Sequence, residues 1–503
     1  MRHTAAFPTS VLVLFLTSYL MTSLAAAGPA DTLTVDLAGP TRLFERPIAT
    51  GWIGNVFNST PRDLIYPIKP SGIRCTFHKG GNDFTGSWAL ADTAGAVALM
   101  SLYPIGSVES QAACGCPNYS RACTDSTSCL IDPSSSCWTE FLHSLRAEVD
   151  SVQGLYPNLE IQWAVWNEPD ACDYWGDGPN GLYEDEYFEF YRVCYDSLKA
   201  GNYAYAVTGP GYSYGPFGDP SRFLLKDFIE YCDANDCLPD KITWHSFNED
   251  TTQAPFAHWD LEAECQAVRD SLQVWDVDGV YADTVKFVVD EIFGKAHYVV
   301  PGFITRMFAT AERAKALGLD YVCRANWESV EQSYLCGLLD PPSDKRFAWW
   351  TYKAYADLAS DGAELFTNVN PAGPNGGDYD ALASIDSLGV LRVLVGRFNN
   401  QVAGPNPDSL TVRIVGWESA GLVDYQSPTG DIVDVQVQRF ISEATVTAPV
   451  PESSLAVPQL TGRYIVDDGE LILKFSGTQD FNSFDAYSVV ISKPVVTNRT
   501  AAQ

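Results

Sequence analysis

An apolar segment that ends abruptly at an Asn-Glu-Pro triplet most constrains the fold of this chain. Residues 161–166 read IQWAVW, a run of β-branched and aromatic side chains that is typical of a strand buried on both faces of a parallel sheet. Because a proline has no N–H with which to continue a ladder, the strand is predicted to stop at Asn167-Glu168-Pro169. The carboxyl ends of parallel strands are where α/β enzymes collect their reactive groups.

Glu168 is therefore a candidate general acid. Burial against Trp166 and behind the amide of Asn167 disfavours the charged form of a carboxyl group, which lets it deliver a proton near neutrality. The alternative is a surface Glu in the first turn of the next helix, where carboxylates are common. Two Trp, an Asn and a Pro around one Glu favour the general acid.

A second carboxylate follows another apolar segment. Residues 285–292 read VKFVVDEI, which predicts a strand that ends at Asp290-Glu291. Alone, this ending is weak evidence, because carboxylates often cap helices. Retaining glycosidases need two carboxyl groups about 5–5.5 Å apart, and a (β/α)8 barrel brings distant strand ends to one mouth. Together with Glu168, Glu291 is thus a candidate member of a catalytic pair.

Helical and strand patterns alternate regularly through residues 49–358, which predicts βα units and a parallel sheet. The predicted fold class is α/β, a (β/α)8 TIM barrel with a C-terminal β-sandwich domain. Besides the two strands above, the predicted barrel strands are Ala49–Val56, Gly72–His78, Ala96–Tyr103, Ala204–Gly209, Ile242–Phe247 and Tyr321–Trp327.

From residue 363 onward, short alternating runs replace the helical pattern. The runs are LASI, VLRVLVGRF, LTVRIV, VDVQVQRF, ELILKF and YSVVIS, which predict a β-sandwich of at least six strands over 363–503. With Trp417 as the one Trp of this region, a packing partner for the barrel is favoured over a carbohydrate-binding module. The barrel domain is assigned to 28–362, and its segment Leu33–Leu43 is expected to pair with the β domain instead of the barrel.

The first 27 residues have the pattern of a secretory signal. Arg2 and His3 precede an apolar run from Val11 to Leu24, and three alanines give an A-x-A cleavage site. A membrane anchor is the alternative, but the run is short for a span and contains hydroxyl residues. The mature protein is predicted to be secreted to the extracellular space, with no membrane association.

The thirteen cysteines agree with an oxidising compartment. Five of them lie in a polar insertion at 112–138, namely Cys114, Cys116, Cys123, Cys129 and Cys137. Zinc binding is the alternative to disulfides, but the spacings lack C-x2-C knuckles. Cys232 and Cys237 are a possible local pair, and Cys75 is the candidate for the unpaired thiol. Sequons at Asn58, Asn118 and Asn498 permit N-glycosylation.

The net charge of −31 argues against nucleic acid and against anionic membranes as partners. It also makes a neutral glycan a more natural substrate than a strongly anionic one. Six His argue against a metalloenzyme, and no glycine-rich loop precedes a helix as phosphate binding requires. No metal and no cofactor are predicted, and the oligomeric state stays open.

The motifs resemble those of the clan A glycoside hydrolases, and most closely those of glycoside hydrolase family 39, which includes β-xylosidases and α-L-iduronidases. The resemblance covers roughly Ile65 to Leu358. It rests on WNEP at the fourth strand, ITWHSFN at the sixth, VVDEI at the seventh, RANW at the eighth and WWTYKAYADL in the last helix.

The resemblance implies a role for each matching residue. Glu168 matches the acid/base and Glu291 the nucleophile. Asn167 would bind the sugar 2-hydroxyl, and His245 would line the subsite. Two further residues are expected to contact or support the substrate site, namely Arg74 of the second strand and Trp327 of the eighth. Pairing with any buried acid is the alternative role of Arg74.

This chain departs from the family pattern at two positions. Asp290 precedes the nucleophile where Thr or a similar residue is usual, and Phe247 stands where the sixth strand usually carries Tyr. The missing tyrosine hydroxyl leaves the substrate open.

The predicted function is a secreted retaining glycoside hydrolase, an exo-acting glycosidase of the β-xylosidase type that acts on plant or microbial glycans. Two alternatives remain: an endo-acting polysaccharide hydrolase, or a catalytically weak carbohydrate-binding protein on the same fold.

Overall fold

The computed structural model describes the chain in segments. These are residues 31–53, 60–76, 84–102, 136–170, 177–178, 181–182, 184–200, 205–218, 223–247, 260–275, 277, 279–292, 299–325, 335, 337–339, 344–369, 379–397, 409–418, 431–442, 450–476 and 484–494. The predicted signal segment, most of the cysteine-rich insertion, Trp327 and the asparagines of the three sequons lie outside the described residues.

The strands and helices follow one another through the chain as the alternation predicts. In chain order the strands are β1 Asp31–Asp36, β2 Thr41–Leu43, β3 Gly51–Ile53, β4 Gly72–Thr76, β5 Val97–Leu102, β6 Ile161–Val165, β7 Asp177–Gly178, β8 Gly181–Leu182, β9 Ala206–Tyr212, β10 Lys241–Ser246, β11 Lys286–Ile292, β12 Leu319–Arg324, β13 Glu364–Phe366, β14 Tyr379–Ile385, β15 Leu391–Arg397, β16 Ser409–Val415, β17 Asp431–Phe440, β18 Gly462–Val466, β19 Glu470–Ser476 and β20 Ala486–Ser492. The α-helices are α1 Arg62–Ile65, α2 Phe84–Ala94, α3 Ser136–Leu155, α4 Glu184–Lys199, α5 Leu225–Ala234, α6 Leu261–Val274, α7 Gly279–Thr284, α8 Pro301–Ala314 and α9 Phe347–Leu358.

Eight parallel strands close into a barrel, as predicted. Around the barrel they run β3-β4-β5-β6-β9-β10-β11-β12 and return to β3, with each strand hydrogen-bonded to its neighbours. Sequence order is kept around the circle because each connection carries the chain back to the start of the next parallel strand. All eight carboxyl ends therefore meet at one mouth.

The barrel strands are buried on both faces, which explains their continuous apolar character. A small interior cluster of Leu99, Ala164, Val288, Tyr321 and Cys323 fills the barrel. The outward side chains of the strands join the helices in a much larger core. Because side chains alternate along a strand, consecutive residues belong in turn to the interior cluster and to the outer core.

The β domain consists of two facing sheets that take strands from both ends of the chain. One sheet has the order β1-β16-β19, and the other has the order β18-β17-β20-β15-β14-β13-β2. Strand β1 pairs in parallel with β16, and β2 pairs antiparallel with β13, so the expectation for Leu33–Leu43 is confirmed. The six predicted runs are all strands, and β13 and β18 are added to them.

Helix α8 of the barrel docks on strands β14 and β15 of the β domain. Helix α8 approaches β15 closely at Gly396. A Cβ atom added to Gly396 would lie 2.5 Å from the Cβ of Thr305, which is too short for two carbon atoms, so a residue without a side chain is needed there. A bidentate ion pair crosses the same contact, with Arg313 Nη1 and Nη2 each 2.9 Å from an oxygen of the fully buried Asp380.

Cys232 and Cys237 are both buried free thiols, so the possible local pair is not present. Three other buried cysteines of the described chain, Cys194, Cys265 and Cys323, are also free. The side chain of Cys75 lies outside the described residues, and its free state stays a prediction. Within the described segments, no helix combines the length and apolar character that crossing a membrane requires.

The ion pair between Arg313 and Asp380 predicts a sensitive point at the domain contact. Replacing Asp380 with Asn removes the buried charge partner of Arg313 and leaves, within the described segments, the exposed carboxylate of Glu262 at 2.8 Å from Arg313 Nε. Loss of one member of a buried pair costs about 3 kcal/mol, so we expect the free energy of unfolding in urea to fall by about that amount.

The matched control is Asp196→Asn, which breaks the exposed pair between Arg192 and Asp196 on α4. Exposed pairs contribute less than about 1 kcal/mol. Equal losses in the two variants would show that the Asp380 pair does not stabilise the domain contact.

Candidate active site

Glu168 reaches the barrel mouth through a turn with unusual backbone angles. After the fully buried strand β6, Trp166 has a φ of 77° and Glu168 has a φ of 47°. The Glu168 N–H donates to the Gly211 carbonyl oxygen at 3.0 Å, which fastens the turn to the end of β9. Left-handed backbone angles in non-glycine residues cost free energy and concentrate at functional sites. The turn thus holds the Glu168 side chain, 12% exposed, at the mouth.

A β-bulge presents Glu291 to the same mouth. Strand β10 pairs Trp244 with Val289 but the next residue, His245, with Glu291, so Asp290 is an extra residue in the ladder. The pairing of β11 with β12 shifts at the same place. An extra residue lets two consecutive side chains face one side, which strict alternation forbids. Asp290 and Glu291 therefore both point toward the groups inside the mouth.

His245 lies between the two candidate carboxylates. It is fully buried, and its Nδ1 is 2.8 Å from Oε1 of Glu168. Its Nε2 is 3.7 Å from Oδ1 of Asp290 and 3.8 Å from Oε1 of Glu291. Burial alone would lower the pKa of His245, but Glu291, Asp290 and Glu168 together raise it to about 8. The imidazolium form is thus favoured at neutral pH, with Nδ1–H donating to Glu168.

Arg74 supplies the second positive charge. The guanidinium is buried, and it donates hydrogen bonds to the Glu291 carboxylate and to Oδ1 of Asn167. It also lies 3.5 Å from Oδ2 of Asp290. Burial would lower the pKa of Arg74, but Asp290 and Glu291 outweigh it and raise that pKa, so the group stays charged. Arg74 thus lies in contact with the carboxylates that it was expected to support, and its supporting role stays a prediction.

The two candidate catalytic carboxylates are close together. One oxygen of Glu168, one nitrogen of His245 and one oxygen of Glu291 all lie within 4.8 Å of one another. Burial raises the pKa of Glu291, while His245 and Arg74 act in the opposite direction. Three such donors suit a metal ion in principle, but the Arg74 guanidinium already occupies one face of Glu291 with positive charge. The arrangement therefore fits a charge-balanced carboxylate pair.

Asp170 is a part of the site that the sequence did not single out. Its buried carboxylate accepts hydrogen bonds from the Ser213 N–H at 2.8 Å, the Ser213 hydroxyl at 3.1 Å and the Tyr214 N–H at 3.2 Å. Burial raises the pKa of Asp170, and these donors oppose the shift. These hydrogen bonds from Ser213 and Tyr214 to Asp170 connect the segment after β9 to the turn that carries Glu168. The position of Asp170 directly after Asn-Glu-Pro was the available signal.

Phe247 packs its ring against His245, with centroids 5.1 Å apart and planes at 69°. Asn167, Glu168, His245, Arg74 and Glu291 are thus brought together as predicted, and Asp290 joins them. Trp327, the remaining predicted site residue, lies outside the described residues.

The fold and the comparisons agree with the resemblance found in the sequence. A parallel barrel with two close carboxyl groups at its mouth is the architecture that the resemblance to clan A glycoside hydrolases implies. The sequence model described as Glycosyl hydrolases family 39 matches residues 131–283, which confirms the resemblance to that family. The matched region contains Glu168 and His245 and ends before Glu291.

Solved structures share the whole two-domain fold. N2152 from Neocallimastix frontalis aligns with a TM-score of 0.63 at 17% identity, covering 93% of this chain and 100% of that chain. The family 39 enzyme from Xanthomonas axonopodis pv. citri aligns with a TM-score of 0.60 at 14% identity, covering 93% and 98%. A glucosidase from Croceicoccus marinus aligns with a TM-score of 0.58 at 12% identity, covering 93% and 100%.

The raised pKa of His245 predicts a pH-dependent stability. Because the folded-state pKa is about 8 and the ordinary value is 6.5, the charged imidazole stabilises the fold fully below pH 6.5. This contribution is lost as the pH rises through 8, and the shift corresponds to about 2 kcal/mol. The free energy of unfolding of the wild type minus that of His245→Asn should therefore fall by about 2 kcal/mol between pH 6 and pH 9. Urea unfolding at both pH values measures it, and a pH-independent difference would contradict the assignment.

Proposed function

We propose that this protein is a secreted retaining glycoside hydrolase, exo-acting and of the β-xylosidase type, on neutral plant or microbial glycans. The observation that carries the proposal is the placement of Glu168 and Glu291 within 4.8 Å of each other, on either side of His245. Retaining enzymes hold their two carboxyl groups about 5–5.5 Å apart, whereas inverting enzymes leave room for a water molecule at about 6.5–9.5 Å.

In this mechanism Glu168 and Glu291 have distinct tasks. Glu168 protonates the departing oxygen while a carboxylate oxygen of Glu291 attacks the anomeric carbon, forming a glycosyl ester and releasing the alcohol. Ester formation removes the negative charge of Glu291, so the deprotonated Glu168 then accepts a proton from water. That water attacks the anomeric carbon, breaks the ester bond and restores both carboxyl groups.

The neighbouring residues orient these groups. Arg74 bonds to both Glu291 and Asn167, which fixes the nucleophile relative to the amide proposed to bind the sugar 2-hydroxyl. Because a side-chain amide offers both donor and acceptor atoms, Asn167 can use its N–H on the sugar while Oδ1 accepts from Arg74. His245 holds the Glu168 carboxyl group. Together they pre-position the reacting atoms, which lowers the barrier without new chemistry.

Two alternatives remain as outcomes of the test. An endo-acting hydrolase would release oligosaccharides from a polysaccharide, and a catalytically weak carbohydrate-binding protein would turn over nothing. The first experiment is hydrolysis of an aryl-glycoside panel (xyloside, glucoside, galactoside, arabinoside and iduronide) beside polysaccharide digestion. Xyloside turnover with release of single sugars supports the proposal, and oligosaccharide products favour the endo alternative.

Two variants separate the tasks of the carboxylates. Glu291→Ala removes the nucleophile, so turnover of every substrate should fall by at least about 10⁴-fold. Glu168→Ala removes the proton donor, so the loss should be about 10²–10⁴-fold for poor leaving groups and smaller for activated aryl glycosides. Azide should yield a glycosyl azide of inverted configuration with Glu291→Ala and of retained configuration with Glu168→Ala.

The control variant is Asp196→Asn on α4, which should keep wild-type rates. Near-wild-type turnover in both carboxylate variants would disprove the catalytic assignment. No turnover of any panel member by the wild type would favour the binding-protein alternative.

We also propose export with removal of residues 1–27, disulfides in the insertion at 112–138 and glycosylation at the sequons. Thirteen cysteines and the N-terminal pattern support it. Peptide mass mapping of the secreted protein without reduction should find linked peptides from Cys114 to Cys137. Free thiols with tightly bound zinc would overturn the disulfide assignment.

A further inference from the structure

A second carboxylate system lies behind the barrel wall, on the outer side of strand β10. Glu264 of α6 accepts a hydrogen bond from Trp244 Nε1–H at 3.0 Å on Oε2. Its other oxygen, Oε1, accepts one from the Ser246 hydroxyl at 2.8 Å. The catalytic mechanism above uses none of these three groups.

The two donors flank His245 in the sequence. Because side chains alternate along a strand, Trp244 and Ser246 face the helices while His245 between them faces the mouth. Trp244 belongs to the large core between strands and helices, with its ring centroid 5.7 Å from that of Phe287, which agrees with this orientation. Glu264 therefore binds β10 at the residues before and after His245, on the face of the strand opposite to the His245 side chain.

The pairing of β10 is irregular on both of its edges in this part of the strand. Against β11 the register shifts between Trp244 and His245, and against β9 it shifts between Thr243 and Trp244. A shift interrupts the ladder that would otherwise fix the strand end. The ladder with β11 resumes at His245 and Ser246, while the pairing with β9 ends at Trp244. Glu264, with both of its oxygens hydrogen-bonded to this one strand, adds a constraint at the irregular place.

We propose that Glu264 is a positioning residue for the catalytic site, which fixes the end of β10 so that His245 reaches the acid/base carboxyl group. The inference rests on the proposed function for its kinetic consequence only. Glu264 touches no substrate atom, and it acts through Trp244 and Ser246 on the 2.8 Å contact between His245 and Glu168. Burial also raises the pKa of Glu264 to about 7, against the lowering effect of its two hydrogen-bond donors.

The test compares three variants of one helix. Glu264→Leu removes both acceptors, so we expect kcat/KM on an aryl glycoside to fall at least tenfold, with kcat affected more than KM. Glu264→Gln keeps an acceptor for Trp244 Nε1–H and offers an N–H to the Ser246 oxygen, so it should stay within about threefold of wild type. The control Glu262→Gln changes an exposed carboxylate two residues away and should leave kcat/KM unchanged.

The pKa of the His245 imidazole is a direct measure of its position relative to the carboxylates. NMR titration of ¹⁵N-histidine protein, with the His245 signal assigned by its absence in His245→Asn, gives the pKa of His245 in each variant. In Glu264→Leu that pKa should move from about 8 toward the ordinary 6.5, because the ring drifts from its carboxylates. A merely structural role would lower the melting temperature and leave the pKa unchanged.

If Glu264→Leu fails to fold, Ser246→Ala removes one of the two contacts with little loss of packing and should shift the pKa in the same direction. An unchanged His245 pKa in Glu264→Leu, or in Ser246→Ala where that variant is the one that folds, would overturn the inference. A wild type that hydrolyses no glycoside would count against the proposed function alone, since the titration needs no turnover.

Discussion

Charge balance around the buried guanidinium of Arg74 is the constraint on which the mouth of the barrel depends. Two carboxylates, those of Asp290 and Glu291, converge there beside the carboxyl group of Glu168, with little access to water. Burying them without partners would cost several kcal/mol each. Arg74 and the protonated His245 offset most of this charge, and their hydrogen bonds also fix where the carboxylates point.

The same charge balance ties four strands together. Arg74 comes from β4, Asn167 and Glu168 follow β6, His245 lies on β10, and Glu291 lies on β11. The hydrogen bonds from Arg74 to Glu291 and Asn167 therefore link strands that are not neighbours in the barrel. The hydrogen bond between His245 and Glu168 does the same. The residues proposed to perform the chemistry thus also connect the carboxyl ends of the barrel strands. The same hydrogen bonds stabilise the fold and position the reacting groups.

The sequence predicted the residues of the site better than their geometry. Strand ends rich in Trp, Asn and acidic residues were enough to select Glu168 and Glu291. Period-two alternation, however, would turn Asp290 and Glu291 to opposite faces, and no residue type marks the bulge that brings both inside. The role proposed for Glu264 was not predicted from the sequence for a related reason. Its two hydrogen-bond partners lie on β10, whereas the pattern of a helix indicates only which of its faces is buried. In the β domain, β18 was missed because most of its side chains are exposed, which weakens the alternation.

The β domain is assembled from the two ends of the chain, and this has a consequence for biosynthesis. Strands β1 and β2 precede the barrel in the chain, yet their partners β16 and β13 follow it; the hydrogen bond from Thr41 to Glu364 at 2.6 Å joins residues 323 positions apart. Until β13 and β16 have been synthesised, β1 and β2 have exposed edges without these partners, and such edges are liable to pair with other chains. The barrel strands all lie between these two sets of strands in the chain, so the barrel can close before the β domain receives its partner strands.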